Sequence, residues 1–280
     1  VKGTLYIVAT PIGNLEDFTF RALRILREAG LAAAEDTRRT RKLFQAYGIR
    51  TPLTSLHDWN EREKSAFILE KLLAGTDVAY VSDAGTPGIS DPGYHLVRKA
   101  IENAVPVVPV PGPSAIIAAV SVSGLPMDRF AFYGFLPPRA GPRRKFLETL
   151  QGEEKTMGFY ESARRIAAAL KDLREILGDR EVVVARELTK LHEEILRGRI
   201  TAVEVILNES PPRGEITLLV SGKEKTPAAA PPGETLRRRI EELAGGETAS
   251  VRDLVRRIAE ESGLSRSLVY REVLQVLKRK

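Results

Sequence analysis

The chain of 280 residues has no cysteine, which removes disulfides, thiolate nucleophiles and thiolate metal sites together. Histidine is nearly as scarce: His57, His95 and His192 stand too far apart to match a standard ligand spacing. No metal is expected. No uninterrupted apolar run reaches the roughly 18 residues that span a bilayer, and Val1-Lys2-Gly3 leads straight into a strand-like segment. The expectation is a soluble cytoplasmic chain with neither leader nor membrane partner. Gly-x-Gly-x-x-Gly and the Walker lysine pattern are missing too, which argues against an ordinary dinucleotide site and a P-loop.

What is present is apolar content of 43%, enough for two compact domains or for one large domain with an appendage. Basic residues outnumber acidic ones by 43 to 37, a net charge of +6 that suits a polyanionic partner without demanding one.

Periodicity orders the first part of the chain as alternating strands and helices. Strands are expected over 4–9, 31–34, 78–81 and 105–110, and helices over 18–28, 37–47, 61–73, 93–102 and 114–122. That alternation implies a doubly wound, largely parallel sheet, an α/β domain over 1–123. Pro126, Pro137, Pro138 and Gly141 cluster at a boundary, beyond which a second α/β domain is expected over 124–222. Its strands are read at 156–160, 181–186, 193–197 and 215–221, its helices at 162–177 and 201–207. An Ala/Pro-rich linker over 223–233 leads to a small all-helical C-terminal extension, 234–280. Ser265 is read as an N-cap there, and the turn at Gly263 outlines a helix-turn-helix.

Three loops, 10–14, 82–92 and 111–114, carry Gly or Pro just after expected parallel strands. Singly, each only ends a strand. Together they fall on the carboxyl edge of one sheet, where backbone amides and helix starts converge, so a ligand pocket is expected there. The turn Glu35-Asp36-Thr37-Arg38-Arg39 belongs to the same edge, although Asp36 or Thr37 also serves as a helix cap. Charged turns recur at Glu161-Ser162-Ala163-Arg164-Arg165 and at Arg186-Glu187-Leu188-Thr189-Lys190, where a structural salt bridge competes with catalysis. Arg139, Arg143, Arg144 and Lys145 read as a flexible basic loop suited to phosphate contacts. The tail adds many arginines, but interleaved glutamates are equally the pattern of a solvated helix face.

Taken in order, Ala9-Thr10-Pro11-Ile12-Gly13-Asn14, Ala34-Glu35-Asp36-Thr37-Arg38, Ser82-Asp83-Ala84-Gly85-Thr86-Pro87, Pro111-Gly112-Pro113-Ser114-Ala115, Gly134-Phe135-Leu136-Pro137, Phe159-Tyr160-Glu161-Ser162 and Ala185-Arg186-Glu187-Leu188-Thr189-Lys190 resemble the tetrapyrrole methylase superfamily, and within it the branch acting on small-subunit ribosomal RNA. The resemblance implies two α/β domains of the class III methyltransferase type, a homodimer, and S-adenosylmethionine held between the domains. It further implies methylation of a cytidine 2′-hydroxyl in the decoding region of 16S rRNA, on RNA or an assembled small subunit. Carried over by position, the cofactor residues would be Pro11, Gly13, Asp83, Gly85, Thr86, Pro87, Ile89, Ser114, Ala115, Tyr160 and Thr217. Many superfamily members have Gly-Asp-Pro where this chain has Gly85-Thr86-Pro87, so any role of that aspartate does not transfer. Because a ribose hydroxyl is a poor nucleophile, a nearby carboxylate or amine is expected to help: Asp36, Glu35, Glu161 and Glu187 are the candidates, with the Glu35-Asp36 turn and Glu161 preferred and Arg38 or Arg186 orienting phosphate or carboxylate. A porphyrin-type methylase of the same superfamily and a non-catalytic RNA-binding protein are the alternatives.

Overall fold

In this computed structural model residues 1–57, 59–223, 233–244 and 250–277 are described. The short apolar segments Leu5–Val8 (β1), Leu31–Ala34 (β2), Leu53–Ser55 (β3), Val78–Val81 (β4) and Val107–Val110 (β5) build one sheet. Its order is β3-β2-β4-β1-β5 and every pairing is parallel. Alternate residues feed two cores because strand side chains point to opposite faces. Ala32, Ala34, Ala79 and Val81 pack with helices Phe20–Glu28 (α1) and Thr37–Ala46 (α2). Ala33, Val78 and Tyr80 pack with Glu61–Leu73 (α3) and Tyr94–Glu102 (α4). This is the expected doubly wound arrangement, with β3 added: three residues between Pro52 and Leu56 are too few to show a period.

Helix Ala115–Ser123 (α5) leaves the first sheet and packs on the second. That sheet contains Phe130–Phe135 (β6), Thr156–Ser162 (β7), Glu181–Arg186 (β8), Glu194–Arg199 (β9) and Glu215–Val220 (β10), in the order β6-β7-β10-β8-β9. Only β6 and β7 run parallel; the other neighbours are antiparallel. Ile116 and Ala119 of α5 meet Val183, Ala185 and Leu219 on one face. Helices Ala140–Glu148 (α6), Ile166–Leu177 (α7) and Ile200–Glu209 (α8) supply the core on the other.

The stretch expected as a flexible basic loop is therefore corrected: residues 140–148 are helix α6. Gly141 and Pro142 sit in its first turn, where a missing amide hydrogen costs no helical bond. Arg143 faces inward at 4% exposure and gives Asp172 on α7 two bonds, of 2.8 Å from Nε and 2.6 Å from Nη2. Arg144 reaches the other oxygen of Asp172 at 2.8 Å and Glu175 at 2.5 Å.

The chain divides into two compact units, Val1–Lys223 and Glu224–Lys280. The second has its own core, with Leu236 and Ile240 from Gly233–Ala244 (α9), Leu254 and Ile258 from Val251–Ser262 (α10), and Val269 and Val273 from Arg266–Leu277 (α11). Ser250 caps α10 by accepting from Asp253 N, Gly263 ends it in the left-handed region, and the Ser265 carbonyl accepts from Leu268 and Val269 at the start of α11. Of the expected linker, residues 224–232 lie outside the described residues, as do Lys278, Arg279 and Lys280.

Candidate active site

Strand order sets the first wall. Strands β2, β4, β1 and β5 are consecutive neighbours, so the four loops after them stand side by side at one edge. They are laced together. Thr10 and Gly85 exchange backbone hydrogen bonds of 2.9 and 3.0 Å, joining the β1 and β4 loops. Thr86 Oγ1 donates to the Pro113 carbonyl at 3.2 Å, joining the β4 and β5 loops. Asp83 accepts from Asp36 N at 2.9 Å and pairs with Arg39 at 3.2 Å, joining the β2 and β4 loops.

The second wall comes from one edge of the other sheet. Because β10 runs antiparallel to β7 and β8, its start lies beside their ends, and Thr217 sits between Tyr160 and Ala185 in register. Between these walls lies a cleft of about 440 Å³, lined by Glu35, Arg39 and the 83–86 turn on one side and by Tyr160, Glu161, Glu187 and Lys190 on the other. Ser114 and Ala115, at the start of α5, also line it. The volume falls within the range of pockets that enclose small organic ligands.

The carboxylates in this cleft differ in what holds them. Glu161 is 2% exposed; its Oε1 accepts from Ser162 N at 2.7 Å and pairs with Arg165 at 2.6 Å. Its second oxygen, Oε2, is buried and has no hydrogen-bond partner among the described residues. A carboxylate fixed by one oxygen keeps a hydrogen-bonding position unfilled at the other. Glu187 is tied to its neighbours across the turn. Its Oε1 accepts from Glu215 N and from Lys190 Nζ, each at 2.9 Å, and the Glu215 amide first and Lys190 next hold its carboxyl below the usual range. Lys190 also reaches Glu215 at 2.9 Å. Burial alone would lower its pKa, but the two carboxylates outweigh that and raise it, so it stays cationic. Glu187 and Thr189 hold φ of 49° and 66°, strain of the kind that accumulates at functional turns.

A family model for tetrapyrrole (corrin/porphyrin) methylases matches residues 4–204. This chain belongs to the tetrapyrrole methylase family. It is 46% identical, over 98% of its own length and 97% of the relative's, to ribosomal RNA small subunit methyltransferase I of Pseudomonas aeruginosa. A protein of the same name from Thermotoga maritima is 50% identical and is covered completely by 79% of this chain. Among solved structures, uroporphyrin-III C-methyl transferase of Thermus thermophilus complexed with S-adenyl homocysteine aligns at a TM-score of 0.53 and 22% identity, covering 78% of this chain and 97% of that one. That likeness concerns the fold.

In this methylase, Asp83, Gly85, Thr86, Ile89, Ser114, Ala115, Tyr160 and Thr217 all border the cleft. Pro11 and Gly13 do not; they flank Ile12, which does, and Gly13 lies against Lys190. Pro87 is buried behind the turn. Threonine at position 86, where the superfamily pattern has aspartate, serves as a tie between loops.

Of the three carboxylates preferred for catalysis, Glu35 and Glu161 border the cleft. Asp36 caps α2 through Arg38 N at 2.8 Å and is clamped by the Arg38 side chain at 3.0 and 2.8 Å. Those bonds, the side-chain ones foremost, hold its carboxyl far below the usual range, which makes it a poor base. The same clamp occupies Arg38, and Arg186 pairs with Glu194 at 3.1 Å. Arg143, expected to contact RNA, is buried in its ion pair, whereas Arg139 and Lys145 are exposed. The Lys190–Glu215 contact was not foreseen, because the return of β10 beside the β8 turn depends on antiparallel pairing, which local periodicity does not report. Phe135 was quoted only within a motif, yet it lines the cleft at 57% exposure.

Proposed function

We propose that this chain methylates the ribose 2′-hydroxyl of a cytidine in the decoding region of 16S ribosomal RNA, using S-adenosylmethionine. The observation that carries the reading is the open Oε2 of Glu161, buried in a cleft bordered by the Gly/Pro loops of a tetrapyrrole methylase fold. Two relatives bearing the ribosomal RNA methyltransferase name support the choice of substrate.

The cofactor fits the residues present. The volume suits it, Thr217 and Tyr160 offer hydroxyls, the latter already accepting from the Ile116 amide, and the other first-turn amides of α5, which lack intrahelical acceptors, suit its carboxylate. Asp83, Gly85, Thr86, Ile89, Ser114 and Ala115 would hold it from the first wall, with Pro11, Gly13 and Pro87 shaping the loops behind. When bound, it supplies an electrophilic methyl group, and no metal is needed for that displacement.

The protein's own task is to align the hydroxyl and accept its proton. Glu161 Oε2 accepts it, while Ser162 N and Arg165 keep the carboxylate from rotating. Glu35 closes the opposite side, and Lys190, held between Glu187 and Glu215, fixes the turn that lines the cleft. Exposed Arg139 and Lys145 offer phosphate contacts. We take 1–123 and 124–222 as the two halves that enclose the reaction, joined through a linker at 223–233 to a helical extension, 234–280, that adds RNA affinity. The same reading takes the chain as a cytoplasmic homodimer. In support of a dimer, α5 leaves Ile117 and Val122 exposed at 54% and 44% on an otherwise apolar helix.

Single-turnover methylation of small subunits lacking the modification tests the assignment. Glu161→Gln should slow it by roughly 100-fold, the lower end for losing a general base, and Asp36→Asn should leave it within a few-fold. Full activity in E161Q would sink the mechanism, and labelling of a different nucleotide would sink the substrate.

A further inference from the structure

Strand β6 carries an irregularity beside the cleft. Phe132 pairs with Gly158 of β7 and Phe135 with Tyr160, so three steps on β6 match two on β7. Gly134 absorbs the extra residue with φ of 69°, a conformation that costs glycine nothing and other residues something. Without the bulge, strict alternation would set Phe135 on the face opposite Phe132. With it, both rings meet Tyr160 edge-on, at 4.8 and 5.5 Å. Phe132 is partly buried, whereas Phe135 ends the strand at 57% exposure and lines the cleft.

Bulges beside active sites re-aim a side chain, and here the side chain is an aromatic ring tilted against Tyr160 and more than half exposed. A hydrophobic residue gains nothing by that placement in the free protein. It gains when a flat partner covers it. We infer that Phe135 is the stacking platform for the base of the acceptor nucleotide, a positioning residue that seats the ribose against Glu161, the residue after Tyr160 on β7. The inference rests on the proposed RNA substrate. A half-exposed ring at the mouth matches a base that arrives from outside with the substrate, whereas the adenine of the cofactor calls for the enclosed part of the cleft.

Three variants of the full chain separate stacking from packing: Phe135→Ala, Phe135→Leu and Phe135→Trp. Each is assayed for KM and kcat on small subunits lacking the modification, and for the S-adenosylmethionine Kd by titration calorimetry. Base–aromatic stacking of ordinary strength predicts that F135A and F135L raise KM about ten-fold or more. Their cofactor Kd should stay within two-fold, and F135W should restore KM to within about three-fold. Unchanged KM in F135A, or F135L as effective as the native ring, overturns the inference. So does a cofactor Kd that weakens in step with KM, because the ring would then belong to the cofactor. A wild-type chain inert on small subunits fails the proposed function itself, a result distinct from failure of the variants alone.

Discussion

Four glutamates, Glu35, Glu161, Glu187 and Glu215, border the cleft, and Glu161 and Glu187 differ in what their oxygens meet. Each has its Oε1 doubly engaged, but Glu161 also keeps a buried Oε2 without a hydrogen-bond partner among the described residues, whereas Glu187 is tied to Lys190 and the Glu215 amide and so braces the turn that carries Lys190. The second role has a signature in acid. The carboxyl of Glu187 is held below its ordinary value of 4.5, chiefly by the Glu215 amide. Its contribution to stability is therefore full above about pH 4.5 and is lost as pH falls through the lower folded value. Glu187→Gln should remove that component, leaving an unfolding free energy that declines less steeply below pH 4.5 than in the wild type. Identical acid limbs in the two proteins would refute it. Arg143 makes a comparable case in the second core. Removing one partner of a buried pair leaves an uncompensated charge, so Asp172→Asn should cost about 3–5 kcal/mol in urea unfolding. A loss below about 1 kcal/mol, the range of exposed pairs, would show that the pair is effectively at the surface.

At the scale of elements, α5 links the two sheets. It follows β5 of the first sheet, packs on the second, and presents Ser114 and Ala115 to the cleft. Its seat on β7 depends on Gly158, where an added Cβ would stand 2.5 Å from Ile116 Cδ1. Gly158→Val should therefore crowd Ile116 and Leu219 between α5 and the sheet, costing about 1–3 kcal/mol as overpacked cores do, and should weaken cofactor binding. A destabilised variant with unaltered cofactor Kd would show that the start of α5 contributes no binding. The seat could not be read from the chain, since Gly158 looks like any other strand glycine until α5 lies across it. Other elements were plain. Strands β2 and β4 and helix α3 were placed residue for residue, because the two apolar runs end at Glu35 and Ser82 and the helix stops just before Gly75. Strand β6 and helix α6 were hidden among Pro126, Pro137, Pro138 and Gly141, whose turn signals outweighed a six-residue aromatic strand and disguised a helix start as a loop. The site was legible in part for the same reason. Loops following parallel strands announce a shared edge, whereas the second wall is made by antiparallel returns, and those bring Glu215 to Lys190 across 25 positions.

For the whole molecule, the distribution of charge and core sets out a division of labour. The cleft and all the cores that support it lie within Val1–Lys223, and the helical extension has a separate core of its own. The Thermotoga relative is accounted for by about four fifths of this chain, so a protein of that name manages with less. The extension presents Arg252, Arg266 and Tyr270 along one groove of α10 and α11, beside Arg256 paired with Asp253, so two cations without an ion pair among the described residues and an aromatic ring are set where they suit a nucleic-acid backbone. A chain ending at residue 223 should therefore bind S-adenosylmethionine within two-fold of the full chain yet require more small subunit for half-maximal rate. The mechanism of that loss is testable through salt. Each phosphate contact adds about 0.9 to the magnitude of the slope of log affinity against log salt for a duplex, and about 0.7 for a single strand. The full chain should lose subunit affinity steeply between 50 and 200 mM salt, and the shortened chain should show a slope shallower by roughly two contacts' worth. Equal slopes would place every phosphate contact in the first unit and leave the extension without a part in RNA binding. A flat dependence for both would favour a small uncharged substrate over RNA.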